Sequence, residues 1–476
     1  MKISIPNLCL VVLIGASGSG KSSFGNKHFK PTETLSSDYC RALISDDENN
    51  QACTKDAFEV LKFIAAKRLS AGKLTVIDAT NVTAEDRKAW VELARSYDCL
   101  TVAIVFDLPE KLCLERNKNR PDRNFGDYVV RRQCSALRKS INGLKREGFR
   151  YIHVLSSEES VNASEIIRTR LWTDRKDESG PFDIIGDIHG CYDELIKLLL
   201  KLGYKLINDN DTNICSVYHP EGRKAIFLGD LVDRGPKTPQ VLKLVMKMVA
   251  DNTGICVPGN HDIKLMRKLK GMDIKITHGL KQSIEQFQNE SEDFKNEVIT
   301  FIDNLISHYV FDGGKLVVAH AGMKLAYQGK SSARVREFAL YGETTGETDD
   351  YGLPIRYNWA QDYRGDAIVI YGHTTTMEPE WVNRTLCIDT GCVFGGSLTA
   401  LRYPEKELIS VKADKTYYES AKPLANSPYK SPGSFDVRES SVLDIDDVLG
   451  KRVISTRFER AITIREQNAA AALAGR

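Results

Sequence analysis

The apolar run Leu8–Ile14 stops at Gly15-Ala-Ser-Gly-Ser-Gly20-Lys21-Ser22, and the order of buried strand, glycine loop and helix admits few folds. The loop satisfies the pattern GxxxxGK[ST]. Its glycines let main-chain N–H groups wrap phosphate oxygens, the following helix N-terminus adds positive potential, the lysine reaches the terminal phosphates and the Ser22 hydroxyl holds magnesium. Gly15, Ser17, Gly18, Gly20, Lys21, Ser22 and Ser23 are therefore the expected nucleotide-binding residues, with ATP or another NTP and Mg2+ as cofactors. Two further apolar runs, Leu74–Ile77 and Leu100–Phe106, alternate with the helix-like segments Lys55–Leu69 and Glu85–Tyr97. That alternation is the signature of an α/β unit, a parallel sheet with flanking crossover helices.

At 476 residues the chain has room for about two to four domains. We place a P-loop kinase domain at 1–170, a second catalytic domain at 171–425, and a linker or the start of a further domain at 426–476, where prolines and serines accumulate. The polar stretch Ser156–Ser179 reads as the interdomain connection. Lys and Arg number 66 against 64 Asp and Glu, so affinity for polyanions must be local, for instance along Arg116–Arg150. The 11 cysteines form no CxxC pair and several sit in apolar runs, which predicts buried free thiols. With no cleavable leader and no run of about 18 apolar residues, the expected location is cytoplasmic, with no membrane contact.

A phosphotransferase needs a carboxylate beside an acceptor hydroxyl. Ser36-Ser37-Asp38-Tyr39-Cys40-Arg41 offers Asp38 as that base and Arg41 to fix an acceptor phosphate. The alternative is that Asp38 caps the following helix. In Glu115-Arg116-Asn-Lys-Asn-Arg120-Pro-Asp-Arg123, Arg116 and Arg120 share a helix face and could clamp donor phosphates as a lid, although such a pair also makes an ordinary solvated face. Asp78 ends the second strand toward the same edge and could assist the metal.

Three blocks, Gly186-Asp187-Ile-His189-Gly190, Gly229-Asp230-Leu-Val-Asp233-Arg234-Gly235 and Gly259-Asn260-His261-Asp262, each follow a short apolar segment, as do His320 and His373. Apolar runs that stop at ligand-type residues predict strands delivering side chains to one edge of an α/β sandwich. Asp187, His189, Asp230, Asn260, His320 and His373 form a mixed imidazole, carboxylate and amide set, with Asp230 able to bridge two ions. Such a set suits manganese, iron, nickel or zinc better than magnesium, and manganese is the first choice. Paired ions roughly 3.5–4 Å apart would activate a water for attack on phosphorus. Arg234 is placed to bind the phosphate, and His261, oriented by Asp233, to protonate the leaving oxygen. His28, His153, His219, His278 and His308 lack such context and read as structural.

The GDIHG, GDLVDRG and GNHD blocks resemble the calcineurin-type phosphoprotein-phosphatase superfamily, whose fold is a two-sheet sandwich flanked by helices. Together with GASGSGKS, and with SSDYCRALISDDENN, RLSAGKLTVIDATNV and AIVFDLPEKLCLERNKNRPDRNFG, they resemble the bacterial polynucleotide kinase-phosphatases of RNA repair across essentially the whole chain. The resemblance implies phosphorylation of polynucleotide 5′-OH ends, with Asp38 as base, Arg41 at the acceptor and Arg116, Arg120 and Arg123 in the lid. It also implies removal of 2′-phosphate, 3′-phosphate or 2′,3′-cyclic phosphate with manganese or nickel, and adds Asp389 to that site. The partners it implies are RNA or DNA ends, a 3′-terminal RNA methyltransferase, a ligase and a second copy in a homodimer. Members of that family carry a C-terminal ligase domain with a KxDG-like lysine motif, which is absent here, so no ligase activity is expected. The segment Val442–Lys451 resembles the start of such a domain. Two rivals remain: a protein serine/threonine phosphatase fused to a small-molecule kinase, and a nucleotide-dependent repair scaffold that binds without turnover.

Overall fold

The computed structural model describes residues 1–119, 126–208, 215–349, 353–420, 453–455 and 461–463. Strand β1 (Lys2–Pro6) leads into β2 (Cys9–Gly15), the loop and α1 (Lys21–His28). There follow β3 (Thr34–Ser36), α2 (Ser37–Ser45), α3 (Thr54–Ser70), β4 (Thr75–Asp78), α4 (Ala84–Ser96), β5 (Leu100–Phe106), α5 (Glu110–Lys118), α6 (Asp127–Ser140) and β6 (Tyr151–Leu155). The sheet runs β3-β4-β2-β5-β6, with every neighbouring pair parallel.

Helices cover both faces, which is why β2 is apolar throughout rather than alternating. Leu10, Val12 and Ile14 pack with Leu61 of α3 and Trp90 of α4, whereas Val11 and Leu13 meet Phe24 and Phe106 on the other side. Parallel strands point their carboxyl ends one way. The loop after β2, Ser36 at the end of β3 and Asp78 at the end of β4 therefore converge on one edge.

The segment Ser156–Ser179 is a correction to the sequence reading, because it is structured rather than a free connection. It holds a helical turn (Glu158–Asn162) and β7 (Glu165–Thr169), which pairs in parallel with β1 from Lys2–Glu165 to Pro6–Thr169. Its polar composition concealed a ribbon anchored by partners distant in sequence. Ile3 and Ile5 of β1 are fully buried, and Arg168 of β7 forks onto Glu33 at 2.8 and 2.7 Å. Asp174–Arg175 then joins the second half of the chain by pairing with His308–Phe311.

From Phe182 the chain builds two facing sheets. One runs, in spatial order, Gly254–Cys256, Lys224–Phe227, Phe182–Ile185, Ser397–Tyr403 and Glu407–Lys412; the other centres on His308–Phe311, Leu316–Ala319, Ile368–Tyr371 and Thr385–Cys387. Alternation along each strand fills three layers. Ile184, Ile226 and Ile255 meet Val318, Ile370 and Leu386 between the sheets. Ile185, Ala225 and Phe227 face helices Tyr192–Leu202 and Thr238–Ala250, while Val317, Val369 and Tyr371 pack outward against Trp359. The two halves touch where Asp98 accepts from Ser332 Oγ at 2.7 Å and Arg334 Nη2 at 2.6 Å.

The expected thiols are borne out: Cys9, Cys99, Cys113, Cys256 and Cys387 are buried and free. No described helix is long and apolar enough to cross a membrane. His308 is fully buried, and its Nε2 accepts from Gly329 N at 3.0 Å. Burial lowers its pKa from 6.5 to about 3. The unfolded chain thus binds the extra proton between those values, so this stability is complete above pH 6.5 and declines as pH falls toward 3. Relative to His308→Gln, the native chain should lose about 2 kcal/mol by pH 5, read by urea melts at several pH values.

Candidate active sites

The first site is a cleft of about 580 Å³ at the carboxyl edge of the parallel sheet. The chain reverses from β2 into α1 through Gly18 and Gly20, both at positive φ. A side chain at Gly18 would lie 2.3 Å from the Cys113 carbonyl of α5, so the loop can pack there only with glycine. Ser17, Gly18, Gly20, Lys21, Ser22 and Ser23 line the cleft. Gly15 sits at its base, where its carbonyl and that of Ala16 accept from Lys21 Nζ at 2.8 and 2.9 Å.

Asp38 and Arg41 line the same cleft from α2 and pair with each other. Ser36, not Asp38, caps α2: its Oγ accepts from Asp38 N at 3.2 Å and Tyr39 N at 3.4 Å. The capping alternative for Asp38 is thereby corrected, because its carboxylate lies in the first turn of α2 at the cleft. Arg41 is 4% exposed and its Nε donates to Glu48 O at 2.8 Å, which locks the guanidinium in place. Asp78 ends β4 in the cleft wall. Arg116 lines the cleft from α5 and pairs with Glu158, whereas Arg120 and Arg123 lie outside the described residues. Sequence reading missed Gln133 of α6, whose Oε1 accepts from Ser17 N at 2.8 Å; Arg132 beside it, read only as part of the basic stretch Arg116–Arg150, also lines the cleft. A lone polar residue on a helix gave no signal for Gln133.

The second site gathers the remaining predicted residues at the carboxyl ends of strands from both sheets. Its loops meet at their backbones, which explains the glycines. A Cβ on Gly259 would fall 2.1 Å from Asp230 Oδ1, and one on Gly372 would fall 2.0 Å from Asp187 Oδ1. His189, Asp230, Asp233, Arg234 and His373 all hold positive φ, a concentration of backbone strain typical of sites whose surroundings dictate the geometry.

Within the site, His189 Nδ1 contacts Val232 O at 2.7 Å and His320 Nδ1 contacts Leu228 O at 2.9 Å, so both rings turn Nε2 inward. His189 Nε2 lies 3.6 Å from Asp230 Oδ2, and His320 Nε2 lies 3.4 Å from Asp230 Oδ1. His320 Nε2 is also 3.0 Å from Asn260 Oδ1 and 3.0 Å from His373 Nδ1. Asp230 thus stands between two groups, His189 with His261 and His320 with His373, whose ligand atoms lie within 4.8 Å of one another. Asp187 Oδ2 accepts from His373 N at 3.0 Å, while Asp187 Oδ1 and His373 Nε2 are buried with no hydrogen-bond partner. Asp389 is held by Gly391 N at 3.0 Å and Thr375 Oγ1 at 2.9 Å.

Burial and mutual repulsion raise Asp187, and burial pushes Asp230 to about 7. Burial also drives His189, His261 and His373 well below the usual imidazole range and His320 to about 4. Crowded carboxylates, neutral imidazoles and two orphaned buried ligand atoms together fit divalent cations. Arg234 Nη1 reaches His189 Nε2 at 2.6 Å and Arg234 Nη2 reaches His261 Nε2 at 3.1 Å, beside that donor set. His261 Nδ1 is 2.7 Å from Asp233 Oδ2.

Two supports escaped the sequence reading. Asp262 accepts from Gly259 N at 2.8 Å and Leu231 N at 2.9 Å, stapling two ligand loops together. Ser283, on helix Leu280–Phe287, donates to Asp233 Oδ1 at 2.7 Å and accepts from Asp233 N at 2.9 Å. A serine some fifty positions downstream carries no motif. Ser283→Ala should lower phosphoesterase kcat roughly 10–100-fold by loosening the Asp233–His261 pair, and the buried Asp233 groups left without that partner should cost about 1–3 kcal/mol of stability.

Fold and geometry define a phosphate-binding P-loop domain joined to a metallophosphoesterase. Residues 10–144 match the AAA domain model, and residues 180–377 match that of the calcineurin-like phosphoesterases. The chain belongs to the calcineurin-like phosphoesterases. It is 48% identical over 240 residues to the bis(5′-nucleosyl)-tetraphosphatase PrpE of Anoxybacillus flavithermus, covering 50% of this chain and 96% of that protein. The PrpE proteins of a Geobacillus species and of Bacillus subtilis are 44% and 45% identical, covering 49% and 50% of this chain and 95% and 97% of those proteins.

Proposed function

We propose that the chain is a bifunctional end-healing enzyme that phosphorylates 5′-OH ends of RNA or DNA and removes phosphate from their 2′,3′ ends. The observation that carries this reading is the shared cleft. A donor-phosphate loop with Lys21 and Ser22 lines the same cavity as Asp38 and Arg41, so donor and acceptor chemistry occupy one space. Ser22 would hold Mg2+, which would supply charge neutralisation at the donor phosphates. Asp38 accepts the proton of the acceptor 5′-OH as its oxygen bonds to the γ-phosphorus and the bond to the β,γ-bridging oxygen breaks, releasing NDP. Arg41 orients the acceptor, and Arg116 stabilises the transferring group.

In the second site Asp187, His189, Asp230, Asn260, His320 and His373 would hold two divalent ions, manganese or nickel, which supply an activated water. Asp389 supports that set from Gly391 and Thr375. Arg234 binds the scissile phosphate, and His261, oriented by Asp233, protonates the departing ribose oxygen. Incubation of 5′-OH RNA with γ-labelled ATP tests the first half, and phosphate release from 3′-phosphate and 2′,3′-cyclic ends tests the second. No label on the RNA would remove the kinase assignment.

A second reading of the phosphoesterase comes from the PrpE relatives, which are named as bis(5′-nucleosyl)-tetraphosphatases. Under it, diadenosine tetraphosphate would be cleaved with kcat/KM well above that for any oligonucleotide end. The end-healing reading expects the reverse order in the same assay.

A further inference from the structure

A second, shallower groove lies between α3 and α4, and nothing in either reaction uses it. Its floor is Phe58, Ala89 and Trp90, with almost no polar surface, and its volume is about 300 Å³. Trp90 is anchored by its Nε1 donating to Asn81 Oδ1 at 3.1 Å, and its ring lies 6.2 Å from that of Phe58 at an interplanar angle of 32°. Thr54 and Phe58 belong both to this groove and to the wall of the kinase cleft. The groove is therefore continuous with the cleft through α3, the helix that packs against α2, which carries Asp38 and Arg41.

We infer that this groove is the seat of a nucleobase of the acceptor strand, stacked on Phe58 over the Trp90 floor. This inference rests on the proposed 5′-kinase reading and specifies its substrate. A flat heteroaromatic ring fits an apolar floor whose rim is polar and mixed in sign, with Lys55, Glu59 and Lys62 on α3 and Asp86 on α4. The rim's near-zero balance does not by itself select an anion. A base brings the ring, and the backbone joining it to the 5′-OH can pass over Thr54 into the cleft. Stacking tolerates every base, so the groove provides end recognition without sequence preference.

The test uses the full chain with 5′-OH oligonucleotides that carry either a natural base or an abasic sugar at each of the first two positions. For the natural strand, Phe58→Ala should raise KM about tenfold, with kcat and the KM for ATP within twofold of native. For the strand abasic at the seated position, native and Phe58→Ala should have the same KM, and Phe58→Tyr should restore discrimination. A 2-aminopurine at that position should be quenched on binding the native chain and not on binding Phe58→Ala. An equal KM rise for natural and abasic strands, or no rise for either, overturns the groove while leaving the kinase reading intact. If the native chain labels no 5′-OH strand, both fall together.

Discussion

Lys21→Ala is expected to abolish transfer of labelled phosphate to 5′-OH RNA, by at least roughly 10³-fold, while phosphoesterase turnover stays within twofold of native. Lys21 Nζ rests on the carbonyls of Gly15 and Ala16 and lines the cleft with the rest of the phosphate loop. Truncation removes charge at the point where negative charge moves during transfer, so the loss should appear in kcat. Asp38→Asn keeps the shape and removes the base, with an expected drop of roughly 10²–10⁴-fold. The experiment is a paired assay of both activities on each purified variant. Residual label transfer near the native level in Lys21→Ala would show that the loop does not carry the reaction.

The reciprocal result is expected from the second site. Asp230→Ala should lower phosphoesterase kcat by roughly 10³-fold or more and leave the kinase untouched. Asp230 is the only residue shared by the two described ligand groups, so its removal disrupts both cation positions rather than one. Dialysis of the native chain against a chelator should abolish the same activity, and added Mn2+ should restore it in the native chain but not in the variant. Metal content measured by mass spectrometry should fall in parallel. Native-level phosphate release from Asp230→Ala would sink the two-ion reading outright.

Together the two predictions state that the chain carries two independent chemistries. Geometry supports that independence, because the sites stand at the edges of different sheets. The described contact between the halves, Asp98 with Ser332 and Arg334, involves no residue assigned to either site.

Much of this was legible in the linear sequence, wherever a residue's role is set by its immediate neighbours. The GxxxxGKS loop needs only its own backbone and the helix after it, so strand β2, the loop and α1 lie where the pattern put them. The ligand blocks are legible for the same reason: each couples an apolar strand to a short loop, and Asp187, Asp230, His320 and His373 lie in the loops just past their strands, whereas Asn260 opens the helix Asn260–Leu269. Fold class followed, because the alternation of buried runs with helices has few solutions.

Tertiary structure decided what depends on partners far away in the chain. Only the folded backbone pairs β7 with β1 across more than 160 residues, turning a polar connection into a ribbon. Only packing brings Ser283 to Asp233, Gln133 to the loop, and Phe58 and Trp90 together beside the cleft. Such contacts join single side chains on separate elements, and one hydrogen bond or one stacked ring leaves no periodic trace in the sequence. Motifs record chemistry that neighbours can enforce, whereas the supports behind them exist only once the sheets have closed.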